Sequence, residues 1–245
     1  MSSIEYFKVV VTALAAIAYW RAFTPPTPSA KLKDTPIDGI FGRMIRHMAF
    51  ISKLSVCLAQ LCQIVLLLAL TDPIGDPTIA RKTLQTVCPN PTSTNMGKLR
   101  TKMAQLPPSL LIGYSLMISM AALRVWCFRS LKRFFTYEIT IQKSHKLIQT
   151  GPYAYVRHPS YTAQILLTAG VYITAFSSST WISECQVNQG PAFYIFWSYI
   201  GLSAFGMYKL YTRGDIEDRE LHKAFGEEWV RYSKEVPYQF VPGLL

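Results

Sequence analysis

Long apolar runs constrain this chain more than any other feature, because about 20 apolar residues in a helix match the thickness of a bilayer's hydrocarbon core. Five segments have this character, although the fourth is short. They are Ile4–Phe23, Ala49–Leu70, Leu110–Phe128, Tyr161–Phe176 and Ala192–Tyr211. We therefore predict an all-α integral membrane protein with about five transmembrane helices. We also predict that Lys53, Arg124 and Lys209 reach from the helix ends toward the lipid headgroups.

The first segment has an alternative interpretation. Residues Ala16-Ile17-Ala18 resemble the small-residue cleavage site of a signal peptide. A signal peptide begins with a net positive region, however, and here Glu5 and Lys8 cancel. This composition favours a retained membrane helix.

The charge balance agrees with a membrane protein. Only 16% of the 245 residues are charged, against about 25% in a typical soluble domain. The 25 Lys and Arg residues outnumber the 14 Asp and Glu residues, which gives a net charge of +11. Basic cytoplasmic loops account for such an excess. Because no nucleic-acid recognition motif accompanies the charge, we predict no nucleic-acid partner.

The positions of the basic residues predict an orientation. With five spans, the basic regions 24–48, 129–160 and 213–245 lie on one side of the membrane, and loop 177–191 on the other side has no Lys or Arg. The positive-inside rule therefore predicts a cytosolic C-terminus, although loop 71–109 carries five basic residues on the opposite side. Cys88 and Cys185 then lie in the two lumenal loops, where an oxidising compartment permits a disulfide between them.

Two polar stretches stand out on the predicted cytosolic side. Residues 151–161 hold three tyrosines, an arginine and a histidine. Their purely structural interpretation is an interfacial aromatic belt with an arginine at the headgroups. In residues 213–221, Arg213 and Glu217 are four apart on a predicted helix, and their purely structural interpretation is a surface ion pair. The helix is predicted to continue to Lys234, with an interruption at Gly226. Metal-ligand and common nucleophile motifs are missing from the sequence, so we predict no metal.

Both stretches resemble the isoprenylcysteine carboxyl methyltransferase family. The resemblance is carried by Leu147-Ile148 followed by Gly-x-Tyr, by the string Arg157-His-Pro-Ser-Tyr161, and by Arg213-x-x-x-Glu-Asp-x-x-Leu221. The tail Phe225-Gly-Glu-Glu-Trp-x-x-Tyr232 and Val236-Pro237 completes it. The resemblance implies an S-adenosylmethionine-dependent enzyme of the endoplasmic reticulum membrane. Its substrates would be prenylated C-terminal cysteines, whose carboxylate is methylated.

The resemblance also implies roles for particular residues. Arg213 matches the position that contacts the substrate, and we predict that it acts in catalysis by gripping the acceptor carboxylate. Asp218 stands where the family usually has glutamate. The positions that match cofactor contacts are His145, Lys146, Leu147, Ile148, Tyr153, His158, Pro159, Ser160, Tyr161 and Glu217.

Physical chemistry is consistent with these roles. A carboxylate such as Glu217 suits the ammonium of S-adenosylmethionine, and the rings of Tyr153 and Tyr161 suit its adenine or its sulfonium. The acceptor α-carboxyl has a reference pKa of about 3.3–3.7 and is ionised at pH 7, so no general base is needed. We predict that residues 1–128 form an N-terminal membrane region and that residues 129–245 form the methyltransferase region.

Other functions stay open at this point. A related membrane methyltransferase acting on a phospholipid amine would leave Arg213 without an obvious duty. A related methyltransferase acting on a terpenoid acid would still use Arg213 to bind the substrate carboxylate. A sterol-reductase-like nicotinamide enzyme is disfavoured by the small number of spans. A small membrane adaptor would require both polar stretches to be merely structural.

Overall fold

The computed structural model describes residues 1–27, 39–71, 77–88, 90–139, 145–190 and 192–244. Nine α-helices occur within these ranges, and no strand does. The helices are α1 (Ser3–Ala22), α2 (Gly39–Thr71), α3 (Pro77–Val87), α4 (Met96–Ala104), α5 (Pro108–Leu131), α6 (Pro159–Ala175), α7 (Trp181–Glu184), α8 (Phe193–Phe225) and α9 (Glu227–Glu235). The predicted all-helical class is confirmed.

Three helical segments are long and apolar enough to cross a membrane. They are Ser3–Ala22, Ile40–Thr71 and Pro108–Phe134. The other two predicted spans are also helical, but α6 has only 17 residues and α8 has 33, with many charged residues in its second half. Five spans and a cytosolic C-terminus therefore stay predictions.

The break predicted at Gly226 is confirmed. Helix α8 ends at Phe225, and Gly226 has a φ of +53° before α9 begins at Glu227. Glycine adopts this left-handed region without the steric cost that a Cβ atom imposes. The amide nitrogen of Gly226 still donates to the carbonyl of His222 at 2.8 Å. The chain therefore changes direction here and α9 starts anew.

Contacts divide the chain into two compact units, each assembled from three stretches. The first unit comprises Met1–Trp20, Ser52–Ile118 and Leu167–Gly201. The second unit comprises Arg21–Ile51, Ser119–Leu166 and Leu202–Leu245.

The core of the first unit includes the proposed disulfide. Cys88 and Cys185 are bonded, with their Cα atoms 5.0 Å apart and a sequence separation of 97. Both cysteines are buried in a cluster with Leu66, Leu67, Leu70, Leu99 and Met103. Beside it, Trp181 Nε1 donates to the carbonyl of Val87 at 2.7 Å. These contacts fasten α7 to the end of α3.

A buried lysine joins three segments of the first unit. Lys8 has no exposed surface, and its Nζ donates to the carbonyls of Met103, Gln105 and Ser179 at 2.6, 2.8 and 2.7 Å. An ammonium has three donors, so the three carbonyls saturate it. Lys8 therefore ties α1 to the end of α4 and to the segment before α7.

In the second unit, Arg124 lies elsewhere than the sequence suggested. Its side chain is 4% exposed and does not reach toward the headgroups as predicted. It donates to the carbonyl of Ala22 at 2.8 Å and to the carbonyl and hydroxyl of Ser160 at 2.9 and 3.0 Å. These carbonyls solvate the guanidinium better than distant headgroups would, so Arg124 fixes the start of α6.

We predict that Lys8→Met destabilises the protein by about 2–4 kcal/mol, because the substitution removes the ammonium that donates to the carbonyls of Met103, Gln105 and Ser179. Thermal or denaturant unfolding in detergent measures the effect. The control is Lys98→Met on α4, where the lysine is exposed and the expected change is within about 0.5 kcal/mol. Equal stability of the two variants would contradict the role assigned to Lys8.

We predict that Cys88 and Cys185 resist alkylation in protein purified without reductant. Mass spectrometry of non-reduced digests should recover the peptides of these two cysteines linked, while Cys57, Cys62 and Cys127 are recovered as free thiols. Recovery of free Cys88 and free Cys185 would contradict the bond.

Candidate active site

The site in the second unit begins with a short turn of helix. Residues Gly151–Ala154 form a single 3-10 turn, and α6 starts at Pro159, where proline suits the first helical position. Between them the backbone nitrogens of Arg157 and His158 donate to the carbonyls of Tyr238 and Gln239 at 3.0 and 2.7 Å. The C-terminal tail therefore holds this segment in place.

Arg157 holds the tail in place through its side chain as well. Its guanidinium donates to the carbonyls of Val236 and Pro237 at 2.9 and 2.6 Å and to Asp218 Oδ2 at 3.0 Å. Its side chain is 12% exposed. Arg157 is therefore a partly buried connector within the protein, and the interpretation as a headgroup arginine in an aromatic belt is wrong for this residue.

Asp218 is the centre of the polar network. Besides Arg157, it lies 3.0 Å from His158 Nε2 through Oδ1 and accepts from Gln239 Nε2 at 3.0 Å. The residue is 6% exposed. Burial alone raises the pKa of a carboxyl group, but the bonds from His158, Arg157 and Gln239 favour the charged form, and the net result is a lowered pKa of Asp218. Asp218 is therefore held as a carboxylate.

His158 is oriented by its neighbours on both sides. With Nε2 directed at Asp218, Nδ1 lies 3.6 Å from Glu217 Oε2. The imidazole stacks on Tyr161 with centroids 5.4 Å apart and packs against Phe240 at 5.8 Å. A Cβ atom on Gly214 would lie 2.7 Å from the Phe240 ring, so glycine at this position permits the close packing of α8.

Glu217 lies beside Asp218 on α8 but is less buried. Its side chain is 34% exposed, and Oε2 accepts from the hydroxyl of Tyr161 at 2.7 Å. The adjacent acids therefore differ in role. Asp218 is enclosed by bonds to protein groups, whereas Glu217 retains surface that a ligand can reach.

Arg213 is buried rather than on the surface. Its side chain is 3% exposed, and one of its Nη atoms donates to the carbonyl of Tyr137. The interpretation of Arg213 and Glu217 as a surface ion pair is therefore wrong for Arg213. A guanidinium removed from water interacts more strongly with an anion than an exposed one does.

Most of the residues predicted for the site surround one cavity. Arg213 and nine of the ten predicted cofactor contacts line it. The nine are His145, Lys146, Leu147, Ile148, Tyr153, His158, Ser160, Tyr161 and Glu217. Pro159 is not among the lining residues and instead begins α6.

The cavity also has walls that the sequence analysis did not assign. The largest contribution comes from the end of α5 and the chain after it, through residues that include Phe134, Phe135 and Glu138. Glu138 is 7% exposed and pairs with Arg46 at 2.6 Å. No local motif distinguishes these residues. A buried acid paired with an arginine 92 positions earlier becomes visible only in the fold.

Burial controls the protonation of three lining residues. Burial lowers the pKa of His145 despite the nearby Glu217, so its imidazole is neutral at pH 7. The ring of His145 stacks on Phe134 with centroids 4.7 Å apart. Burial also raises the pKa of Tyr153 and of Tyr232, so both stay protonated phenols, and Tyr232 donates to the carbonyl of Tyr153 at 2.8 Å.

The cavity can therefore hold a small molecule that carries both signs of charge. Glu138, Glu217 and Glu220 line it together with Lys146, Arg157 and Arg213, and aromatic rings complete the wall. The fold and the site define the class as a helical membrane protein with a mixed-charge ligand cavity.

Comparison with known proteins gives the family that this part of the chain resembles. Residues 111–186 match the model of the isoprenylcysteine carboxyl methyltransferase (ICMT) family, which confirms the resemblance predicted from sequence. The match includes the Arg157–Tyr161 string but ends before Arg213.

A second comparison points to another membrane enzyme. The chain is 30% identical over 104 residues to a probable 7-dehydrocholesterol reductase of Acanthamoeba polyphaga mimivirus. The match covers 42% of this chain and only 20% of the length of that relative. No solved structure matches the chain significantly.

We predict that Asp218→Asn lowers the free energy of unfolding by about 1–3 kcal/mol at pH 7, because the neutral amide cannot accept from all three donors. The control is Glu235→Gln, where the glutamate is exposed and the expected change is within about 0.5 kcal/mol.

The pH dependence gives a second measurement of the same effect. Since the folded-state pKa of Asp218 is lowered, its charge stabilises the fold above the unfolded-state value of about 3.9. This contribution is lost as the pH falls through the lower folded-state pKa. The difference in stability between wild type and Asp218→Asn should therefore be full at pH 6–7 and shrink below about pH 4. A constant difference across this range would contradict a buried carboxylate.

Proposed function

We propose that this protein transfers a methyl group from S-adenosylmethionine to the C-terminal carboxylate of prenylated cysteine. The observation that carries the proposal is the buried Arg213 on the wall of the cavity that Glu217, Tyr161 and His158 also line. The match of residues 111–186 to the isoprenylcysteine carboxyl methyltransferase family supports the same reaction class.

The lining residues fit S-adenosylmethionine. Its amino acid part carries an ammonium and a carboxylate, and Glu217 offers accessible carboxylate surface for the ammonium. The neutral imidazole of His145 and the phenol of Tyr153 suit the adenine and ribose. When bound, S-adenosylmethionine supplies an electrophilic methyl group on a sulfonium sulfur.

The protein's own contribution is to position and desolvate the acceptor. A prenylcysteine carboxylate is already ionised at pH 7, so no side chain has to remove a proton. The guanidinium of Arg213 binds one edge of the carboxylate and leaves an oxygen lone pair directed at the methyl carbon. Because Arg213 is buried, this interaction occurs away from bulk water, where it is strongest.

The proposal includes a location. We propose a multi-pass protein of the endoplasmic reticulum membrane with the site and C-terminus in the cytosol, where prenylated CaaX proteins are processed. The bond between Cys88 and Cys185 supports an oxidising lumen on the side of those two loops. The prenyl chain of the substrate reaches the enzyme from the bilayer.

The first experiment tests the reaction directly. Membranes containing the protein are incubated with methyl-labelled S-adenosylmethionine and N-acetyl-farnesylcysteine, and base-labile methyl ester is counted. We expect ester formation that depends on both compounds. Label in a phospholipid headgroup alone would favour the phospholipid-amine methyltransferase. Esterification of a terpenoid acid without esterification of the prenylcysteine would favour the third methyltransferase interpretation.

Sterol reduction is a second candidate function, because the comparison with the probable 7-dehydrocholesterol reductase favours it. We place it second for two reasons. The match covers only a fifth of that relative. Arg213 also belongs to the motif that resembles the methyltransferase family. An incubation of the same membranes with NADPH and 7-dehydrocholesterol separates the two candidates. Sterol product without methyl ester would reverse their order.

We predict that Arg213→Ala lowers kcat/KM for N-acetyl-farnesylcysteine by roughly 30-fold or more, while cofactor binding changes little. Removing one partner of a desolvated charge pair costs about 2–5 kcal/mol, and about 1.4 kcal/mol corresponds to tenfold. Arg213→Lys should recover only part of the loss, because an ammonium lacks the planar fork. Activity is measured by ester formation and cofactor binding by titration calorimetry.

The matched control is Arg219→Ala, six residues further along α8, where the arginine is exposed. It should retain activity within about twofold. If kcat/KM of Arg213→Ala stayed within about threefold of wild type, Arg213 would not be the group that binds the acceptor carboxylate. That result would favour the phospholipid-amine methyltransferase over the prenylcysteine methyltransferase.

A further inference from the structure

The first unit contains a second cavity with a different chemistry. Its walls come from α2, α5, α6, α7 and α8, and nearly all of its lining surface is apolar. Aromatic and β-branched residues dominate, among them Trp181, Phe196, Val56 and Ile200. Among the described residues that line the cavity, none is charged.

Two buried glutamines, Gln60 and Gln63, interrupt the apolar lining. Gln60 is 7% exposed, and its Oε1 accepts from the hydroxyl of Tyr114 at 3.2 Å. That hydroxyl accepts in turn from Thr12 Oγ1 at 3.0 Å. Within the described residues, no hydrogen bond from Gln60 Nε2 is found, and this nitrogen is not among the fully buried polar atoms that lack a partner. Since Gln60 lines the cavity, its donor is open to the cavity rather than sealed in the core.

The neighbouring Gln63 differs from Gln60 in its hydrogen bonds. Gln63 lies nearly one turn further along α2 and also lines the cavity, but its Nε2 donates to the carbonyl of Ser179 at 3.4 Å, and its Oε1 accepts from the backbone nitrogen of Trp181. Gln63 is thus used by the protein to hold the segment before α7. Gln60 retains its donor on the cavity wall.

The mouth of the cavity opens onto an apolar surface. Leu58 on α2 and Ile195 on α8 both line the cavity, and they are 55% and 75% exposed. Leu58 belongs to a segment long and apolar enough to cross a membrane. A molecule that enters here therefore comes from the lipid phase rather than from water.

We propose that this cavity binds a sterol, whose single hydroxyl accepts a hydrogen bond from Gln60 Nε2. The uncharged lining disfavours phospholipids and fatty acids, because a phosphate or carboxylate would be desolvated without a counterion. Rigid aromatic and branched walls suit a rigid ring system, which loses less conformational entropy on binding than a flexible chain does. This site is separate from the proposed methyl transfer and does not depend on it.

The probe is a photoreactive cholesterol analogue with a diazirine on its ring system. Full-length protein in nanodiscs is irradiated with it, and labelled peptides are mapped by mass spectrometry. We expect labelling on residues that line the cavity, such as those from Ser55 to Gln63 or from Ala192 to Ile200, and we expect unlabelled cholesterol to compete. Labelling spread evenly over the exposed helices, without competition, would overturn the proposal.

Two variants test the hydrogen bond and the space separately. Gln60→Leu should weaken competition by cholesterol by about 3- to 10-fold, because it removes the donor and keeps the side-chain volume. Ala59→Phe, which fills the cavity, should abolish specific labelling. The matched control is Gln85→Leu on α3, an exposed glutamine outside the lining, which should label as wild type does.

Two further readouts keep the result decisive. The thermal unfolding temperature in detergent should be the same in wild type and Gln60→Leu, which shows that the variant is folded. Epicholesterol, with its hydroxyl on the opposite face, should compete less well than cholesterol. Wild-type affinity in Gln60→Leu, or displacement by farnesol but not by cholesterol, would overturn the sterol assignment.

Discussion

The second unit depends on the hydrogen bonds of the Asp218 carboxylate. Helix α8, the segment before α6 and the C-terminal tail meet at this one side chain through His158, Arg157 and Gln239. Each of these groups is costly to bury alone, and each offsets the cost of the others. The network leaves the second acid of the pair, Glu217, oriented by Tyr161 and accessible to a ligand. Asp218 is thus enclosed by protein groups, whereas the adjacent Glu217 keeps accessible carboxylate surface.

In the first unit, a buried cation joins separate segments of the chain in a similar way. Lys8 is enclosed by three backbone carbonyls, and its ammonium uses all three of its donors on them. Arg124 uses the carbonyls of Ala22 and Ser160 in a similar way in the second unit. Several of the basic residues that give this chain its high net charge therefore act inside the protein. Only part of the charge excess reflects exposed loops.

Periodicity and motif spacing predicted the parts of the structure that are local. Apolar runs predicted the helices, glycine predicted the break at Gly226, and the Arg-His-Pro-Ser-Tyr and Arg-x-x-x-Glu-Asp strings predicted residues that line one cavity. The errors are long-range. Arg124 and Arg157 looked like headgroup ligands because a sequence does not show the carbonyls that surround them. Glu138 was not assigned because its partner, Arg46, lies in another part of the chain. The roles of the cavity residues in binding and catalysis stay predictions.

The discontinuity of both units has a consequence for synthesis of the chain. Each unit combines an early, a middle and a late stretch, so no single cut releases one of them intact. The backbone nitrogens of Arg157 and His158 donate to the carbonyls of Tyr238 and Gln239, which come much later in the chain. These two nitrogens thus wait without these partners while about 80 further residues are translated, which takes several seconds at about 5–20 residues per second. A truncation before residue 238 should leave both nitrogens without these partners permanently.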